Sequence, residues 1–472
     1  MGAVRSGSSP MTLGRLRRTR PVLLGLDVGS SFVKAVVFDD RGRALATAIR
    51  GVPLRSPVPG WVERDAEQTW RAVADAVRCV SEGRAVAVVG VTGCGNGAVF
   101  VDGRVRPLRA GILSSDQRAT AFVRRSPWAR QTAYAGQSLP LLRWFRAAEP
   151  SAASRLAHVL GWKDFVRARL TGEIATDPTD AGAGGWLDPA TRLRRDLDPA
   201  LPPVRESLGS AGAVTSRAAR LTGLRAGTPV FMGCIDCEAA AIGSGVAPVG
   251  ELSLVAGTWS INQMFVDHLP RRRDFFLVNP SVLPGRWLVL EGSPTSAANL
   301  DWAARVFGGG DLGRALRLAE RTPRTRALFV PRVPTGEGTF TGIGAAQGPG
   351  ELVRAVVEGV AFGHRLHVEK LVGRQRGSRR VRLAGGLARS PFGAQLFADV
   401  LGCTVEVPAG DEIGALGVAL CAGVGVGLWS TLHQAQNAAV HVDRVFTPRM
   451  AVHTEFSRDF VRFARAWAFS AL

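Results

Sequence analysis

Lysine is almost absent from this sequence: of 59 basic residues only Lys34, Lys163 and Lys370 are lysines, and the rest are arginines. A surface that follows a nucleic-acid backbone clusters its basic residues on one face or along one helix. Here the arginines are spread along the whole chain, often singly, among Ala, Gly and Val. The formal charge of +20 therefore reads as compositional bias and not as a nucleic-acid footprint. Cysteine is scarce too, six in 472 residues, which is too few for a disulfide framework in a chain this long. Cys234 and Cys237 stand in C-x-x-C spacing, but no second pair or histidine cluster offers the remaining two ligands of a zinc site. No apolar run approaches the roughly 18 residues of a membrane span. The stretch Pro21–Leu26 ends at Asp27 and is too short for the core of a signal peptide. These absences predict a soluble, cytoplasmic protein whose partners include neither nucleic acid nor membrane.

What the sequence does contain is the composition of a globular protein, 46% hydrophobic and 21% charged, in a chain too long for one ordinary core. Residues 1–20 are basic and Ser/Gly-rich and read as a disordered arm, or as an extension upstream of a start at Met11. From residue 21 the pattern is a strand (VLLGLDV), a Gly-Ser-Ser turn, a second strand (FVKAVVFD) and, after the Asp-Asp-Arg-Gly turn at 39–42, a third. A helix follows with Asp65 as its N-cap and Trp70, Val73, Val77 and Val80 on one face. A β-rich run, AVAVVGVTG, comes next, and the whole is an α/β pattern. At residue 251 the opening repeats: ELSLVAGTWSINQMFVD is again strand, small turn, strand. Either the chain is a degenerate duplication with domains at 21–250 and 251–440 and an extension at 441–472, or two unrelated hairpins share a common kind of turn.

Five places carry groups suited to phosphate and polyol chemistry. In Asp27-Val-Gly29-Ser30-Ser31-Phe-Val-Lys34, a small-residue turn exposes backbone N–H groups to phosphate oxygens, and an aspartate leaving the strand suits Mg²⁺. Gly257-Thr258 in the second hairpin has the same character. Asp236 follows the strand TPVFMG and opens an Ala-rich helix, where a carboxylate takes a proton from a hydroxyl or simply caps the helix. Asp116 and Arg118, two apart after the apolar run AGIL, offer an acceptor and a donor to neighbouring hydroxyls, or form a solvated loop. The Gly385-Gly386 turn leaves backbone bare for a flat ligand, although glycine is also the ordinary residue of a tight βα turn.

Together, in this order, these elements resemble the FGGY family of carbohydrate kinases over nearly the whole chain after residue 20. Gly25, Asp27, Gly29, Ser30, Ser31 and Lys34 fill that family's G-x-D-x-G-[ST]-[ST]-x-x-K pattern. Lys163 lies in a family-like Trp-Lys-Asp-Phe block, and PGWVERD, RLTGEIATDPTDA and 381–423 are similar to further blocks. The resemblance implies two actin-like (ribonuclease-H-like) domains flanking a catalytic cleft. It also implies ATP and Mg²⁺ as cofactors and a small sugar or polyol as acceptor. By the same resemblance Asp236 is the base, Asp27 meets the metal, and Gly29, Ser30, Ser31, Lys34, Gly257 and Thr258 meet phosphates. Gly385 and Gly386 belong to the nucleotide side, and Asn96, Asp116, Arg118 and Asp236 to the sugar. ILSSDQRA at 112–119 and EGSPTSAANLDW at 291–302 look like the branch acting on L-xylulose-like and erythritol-like substrates. Gly93-Cys-Gly-Asn96 departs from the groups found there in glycerol and D-xylulose kinases, which argues against both of those substrates. Members of the family often form dimers, and no segment here locates an interface. Two other readings stand beside an active kinase: a catalytically silent sugar sensor, which loss of Asp236 or of the Asp27 turn would favour, and a nucleic-acid-associated ATPase, which clustered arginines would favour. The sequence shows neither feature.

Overall fold

A computed structural model describes residues 21–470 except 125–133, 247, 258, 272–273, 325, 332–337 and 374–379. The basic arm at 1–20 and Thr258 thus lie outside the described residues.

Two mixed sheets organise the chain. The first contains β1 (Val22–Val28), β2 (Phe32–Phe38), β3 (Ala44–Gly51), β4 (Val86–Gly93), β5 (Ser210–Ala213) and β6 (Pro229–Phe231) in the order β5-β6-β4-β1-β2-β3. The second contains β7 (Leu252–Ala256), β8 (Ser260–Val266), β9 (Leu277–Pro280), β10 (Trp287–Ser293), β11 (Arg380–Gly385), β12 (Thr404–Pro408) and β13 (Val442–Phe446) in the order β9-β10-β8-β7-β11-β12-β13. Both share one plan. Three antiparallel strands (β1-β2-β3, β7-β8-β10) are followed by two that run parallel to the first (β4 and β6, β11 and β12). The duplication suggested by the two hairpins is therefore a duplication of sheet topology, and it is the actin-like pattern.

Alternation explains how each sheet is covered. Inward residues Leu24, Leu26, Val28, Val33, Ala35 and Val37 pack under α1 (Ala66–Ser81) through Trp70, Val73, Val77 and Val80. Asp65 caps this helix by accepting from Gln68 N at 2.9 Å, which is the expected cap and the expected face. The opposite face, with Leu23, Val36 and Val88, is covered by Ala415, Val418, Ala419 and Ala422 of a helix that arrives from the end of the chain. That helix, residues Ile413–Gly425, follows β12 of the second sheet yet lies beneath the first. The chain thus crosses between the lobes at residues 409–412. It crosses against helix Asp236–Gly243 at contact distance: a Cβ on Gly417 would come 1.8 Å from the Ala239 carbonyl oxygen, so glycine is the residue this approach permits.

The second sheet carries its own core of Leu252, Leu254, Val381, Leu383 and Val405, packed against the long helix Pro349–Val372. Residues 441–472, expected as an extension, build into this domain. β13 pairs antiparallel with β12, and helix Met450–Ser470 buries Phe456, Phe460 and Phe463 in the same core.

Candidate active site

A cavity of about 610 Å³ lies between the lobes, and both turns open into it. The first turn supplies Asp27, Ser30 and Lys34, the second Gly257 and Trp259, the start of the crossing helix Glu412, Ile413 and Gly414, and the turn after β11 Gly385 and Gly386. Gly29 and Ser31 belong to the first turn but do not line the cavity among the described residues. The turn is held from below by Arg64, fully buried, whose guanidinium donates to the carbonyls of Gly29 (2.6 Å) and Ser30 (2.9 Å) and stacks 4.0 Å over the ring of Trp162. Gly385 has φ +96°, and a Cβ there would meet the Ala256 carbonyl oxygen at 2.4 Å, so β7 and this turn approach as only glycine allows.

Asp236 sits where β6 gives way to the helix Asp236–Gly243, and the loop carrying it is pinned on both sides. Ile235 N donates to Thr179 Oγ1 at 2.9 Å, and Thr92 Oγ1 donates to the Cys234 carbonyl at 2.7 Å. Thr179 in turn donates to Asp177 Oδ1 at 2.5 Å. The carboxyl of Asp236 accepts from Cys237 N at 2.8 Å. Burial, reinforced by the negative charge of Asp27, pushes its pKa up to about 7 against the pull of the backbone N–H groups of Cys237 and Gly95. Asp27 is pushed up to about 6 by burial, with Lys34 opposing and Glu412 adding to the rise. Asp27 Oδ1 is buried and accepts no hydrogen bond. The two carboxylates share one cavity in which ionisation is costly, the condition under which a carboxyl works as a proton acceptor near neutral pH.

Asn96 also lines the cavity, in a left-handed conformation with φ 65°, and its Oδ1 is buried without a partner. Asp116 and Arg118 are not brought to the site. Arg118 donates to both carboxylate oxygens of Asp116 at 2.8 Å, stacks over Trp61 at 3.9 Å and reaches Glu63, while Asp116 also accepts from Val62 N. Every charge in that pair is satisfied internally, so neither is free to hold a sugar hydroxyl. Ser114, two residues earlier, lines the cavity instead. Sequence reasoning also missed Tyr134, Trp259 and Phe276, an aromatic group on the cavity wall with ring centroids 6.0 Å (Tyr134–Phe276) and 5.8 Å (Trp259–Phe276) apart. Burial, with the nearby Asp236, raises the Tyr134 hydroxyl above its ordinary range, so it stays a neutral donor. Cys94 and Cys237 line the cavity as well, and Cys94 is pushed up to about 12 by burial, which leaves it a thiol and not a nucleophile. Cys234 is buried in the core beneath the first sheet, where its thiol meets that of Cys421 and is held well above its ordinary range by that neighbour and by burial.

Asp164, Asp177 and Asp180 converge closely enough to hold a metal ion. The Lys163 ammonium already occupies that position, at 2.6, 2.5 and 2.8 Å from the three carboxylates. The family-like lysine is thus part of the framework under the Asp236 loop.

No helix among the described residues is long and apolar enough to cross a membrane. Residues 22–243 match the N-terminal domain of the FGGY family of carbohydrate kinases, and residues 314–426 match its C-terminal domain. The chain is 30% identical to an L-xylulose/3-keto-L-gulonate kinase of Escherichia coli over 93% of its own length and 95% of that protein's. It is 32% identical to a probable L-xylulose kinase of Pasteurella multocida over 89% and 94%. A xylulose kinase structure from Rhodospirillum rubrum superimposes with a TM-score of 0.83 at 25% identity, covering 95% of this chain and 98% of that one. A ligand-bound xylulose kinase from Lactobacillus acidophilus gives 0.87 at 20% identity over 96% and 98%.

Proposed function

The chain belongs to the FGGY family of carbohydrate kinases and is an ATP-dependent carbohydrate kinase, and we propose that its acceptor is a small neutral ketose or polyol, first an L-xylulose-like pentulose, with an erythritol-like polyol next. The observation that carries this reading is Asp236, half-buried at the floor of a cavity between two small-residue turns, with its pKa near neutrality. In this reading the first lobe holds the sugar and the second the nucleotide.

Asp236 takes the proton of the accepting hydroxyl as the oxygen bonds to the γ-phosphorus, and the bond to the β–γ bridging oxygen breaks with its electron pair leaving on ADP. Lys34, Ser30 and the backbone at Gly257, which line the cavity, meet the phosphates, so that the charge spread over the transferring group is neutralised by groups already in place. The buried, unpartnered Asp27 Oδ1 fits a divalent cation, and Asp27 would hold Mg²⁺, which supplies charge neutralisation at the phosphates. Asn96, Ser114 and the Tyr134 hydroxyl face the sugar with neutral donors and acceptors. Among the described residues lining the cavity the basic side chains are Lys34, Arg389 and Arg444, and ion pairs bind them to Glu412, Asp411 and Asp443. Among the described residues each cation of the lining thus has an acidic partner, which supports a neutral acceptor.

The test is ADP release from Mg·ATP against pentuloses, hexuloses, four- and five-carbon polyols and keto-sugar acids. Strong turnover with a neutral pentulose or polyol and weak turnover with the acids is expected. Preference for an acid would overturn the neutral assignment, and silence throughout with ATP bound would point to a sensor.

A second expectation concerns pH. A base must be ionised to act, and its raised pKa means Asp236 is protonated below neutrality. The kcat/KM for the acceptor should therefore fall about tenfold per pH unit below about pH 7. A profile flat from pH 5.5 to 8 would remove Asp236 from the role.

A further inference from the structure

The crossing between the lobes ends in Glu412, the N-cap of the helix Ile413–Gly425, yet its side chain makes no capping bond to that helix. It reaches instead into the cavity and holds Lys34, with Nζ 2.7 Å from Oε2. Lys34 comes from β2 of the first sheet, whereas Glu412 stands where the chain leaves the second sheet. The start of the same helix also touches the metal-side aspartate, since a Cβ on Gly414 would lie 3.1 Å from Asp27 Oδ2. The lysine and glutamate side chains are 31% and 15% exposed, so the pair is open to the cavity and exchangeable. A polyphosphate entering here meets an ammonium already neutralised by a carboxylate of its own sign of charge.

We propose that Glu412 is a positioning residue acting through Lys34: it holds the ammonium while the nucleotide site is empty, yields it to the entering phosphates, and reclaims it as ADP leaves. The proposal rests on the reading that Lys34 meets phosphate. Its consequence is a defined sign. Glu412 weakens nucleotide binding and speeds turnover, because the ion pair it re-forms offsets part of the attraction between Lys34 and the product.

The experiment is calorimetric binding of ADP with Mg²⁺ to the full chain and to Glu412→Gln, Glu412→Asp, Lys34→Met and the double variant Glu412→Gln/Lys34→Met, together with kcat and KM for ATP. Glu412→Gln should bind ADP about two- to fivefold tighter, the worth of one partly exposed ion pair, and lose kcat by a similar factor as release slows. Glu412→Asp should return both values toward wild type. In the Lys34→Met background the Glu412 substitution should have no effect on ADP affinity, because its route of action is gone. Unchanged or weaker ADP binding by Glu412→Gln would overturn the proposal, as would tightening that persists without Lys34. A merely structural role would lower the melting temperature without tightening ADP. If Lys34→Met alone leaves ADP affinity intact, it is the phosphate role of Lys34 that fails, and the proposal with it.

Discussion

Asp236→Asn should lower turnover by about 10²–10⁴-fold while leaving the fold and ADP affinity unchanged, the usual worth of a positioned general base. The substitution is close to isosteric. The amide oxygen can still accept from Cys237 N, and the neighbouring anchors, Ile235 N on Thr179 and Thr92 on the Cys234 carbonyl, do not involve the carboxyl. What is lost is the ability to receive a proton in a cavity where the wild-type group sits near its midpoint at neutral pH. The loss should fall on kcat and kcat/KM together, as expected for an interaction made in the transition state. The rising limb of the pH profile should vanish from the residual activity. Turnover within a few-fold of wild type would mean that another group receives the proton, and the half-buried carboxyl at this loop would then need a different explanation.

Much of the architecture was legible because local rules and tertiary structure agree there. The hairpins at 22–38 and 252–266 announce themselves by alternation and small turns, and helix 66–81 by its cap and a one-sided apolar face. Asp27, Lys34, Asp236, Asn96, Gly257 and the Gly385–Gly386 turn, singled out in the sequence, do line one cavity, because each lies at or near a turn that opens between the lobes. Groups whose role depends on a neighbour remote in sequence were not legible. The spacing of Asp116 and Arg118 suits a polyol, but Trp61, Glu63 and Val62 N claim them first. Glu412 looks like an ordinary cap until the crossing of the lobes places it on Lys34. Tyr134 and Phe276 are remote from one another in the sequence and become neighbours only when the two lobes meet. Residues 441–472 read as an extension because an edge strand and one amphipathic helix carry no sign of the core they will join.

Lys163→Met should cost the protein about 3–5 kcal/mol, the loss typical of breaking a buried ion pair from one side, and lower the melting temperature of the first lobe by roughly 6–20 °C. Lys163 is 1% exposed and is the shared partner of Asp164, Asp177 and Asp180, and of the two arginine-free members of that trio Asp177 is fully buried. Arg167 reaches only Asp164. Methionine fills the same volume but leaves the carboxylates in a low-dielectric site with too little positive charge, which is why the substitution is worse than the removal of the whole cluster would be. The sign of the pH dependence follows. In the wild type burial pushes Asp164 up, but Lys163, Arg167 and the hydrogen bond from Thr176 together outweigh it and hold the carboxyl below its ordinary value, whereas burial pushes Asp180 up to about 7 against the same lysine. Without the ammonium both should rise. A carboxyl whose folded pKa lies above its unfolded one favours the folded state below the unfolded pKa and loses that advantage as pH rises through the folded one. The deficit of Lys163→Met should therefore be greatest near pH 8 and shrink toward pH 5. Urea midpoints measured at both pH values decide it. A variant that melts with the wild type, or whose deficit grows on acidification, would show that these carboxylates are sustained by something other than the lysine. If the framework does depend on it, a drop in turnover should accompany the drop in stability, because Thr179, the anchor of Ile235 N beside Asp236, is itself held by Asp177.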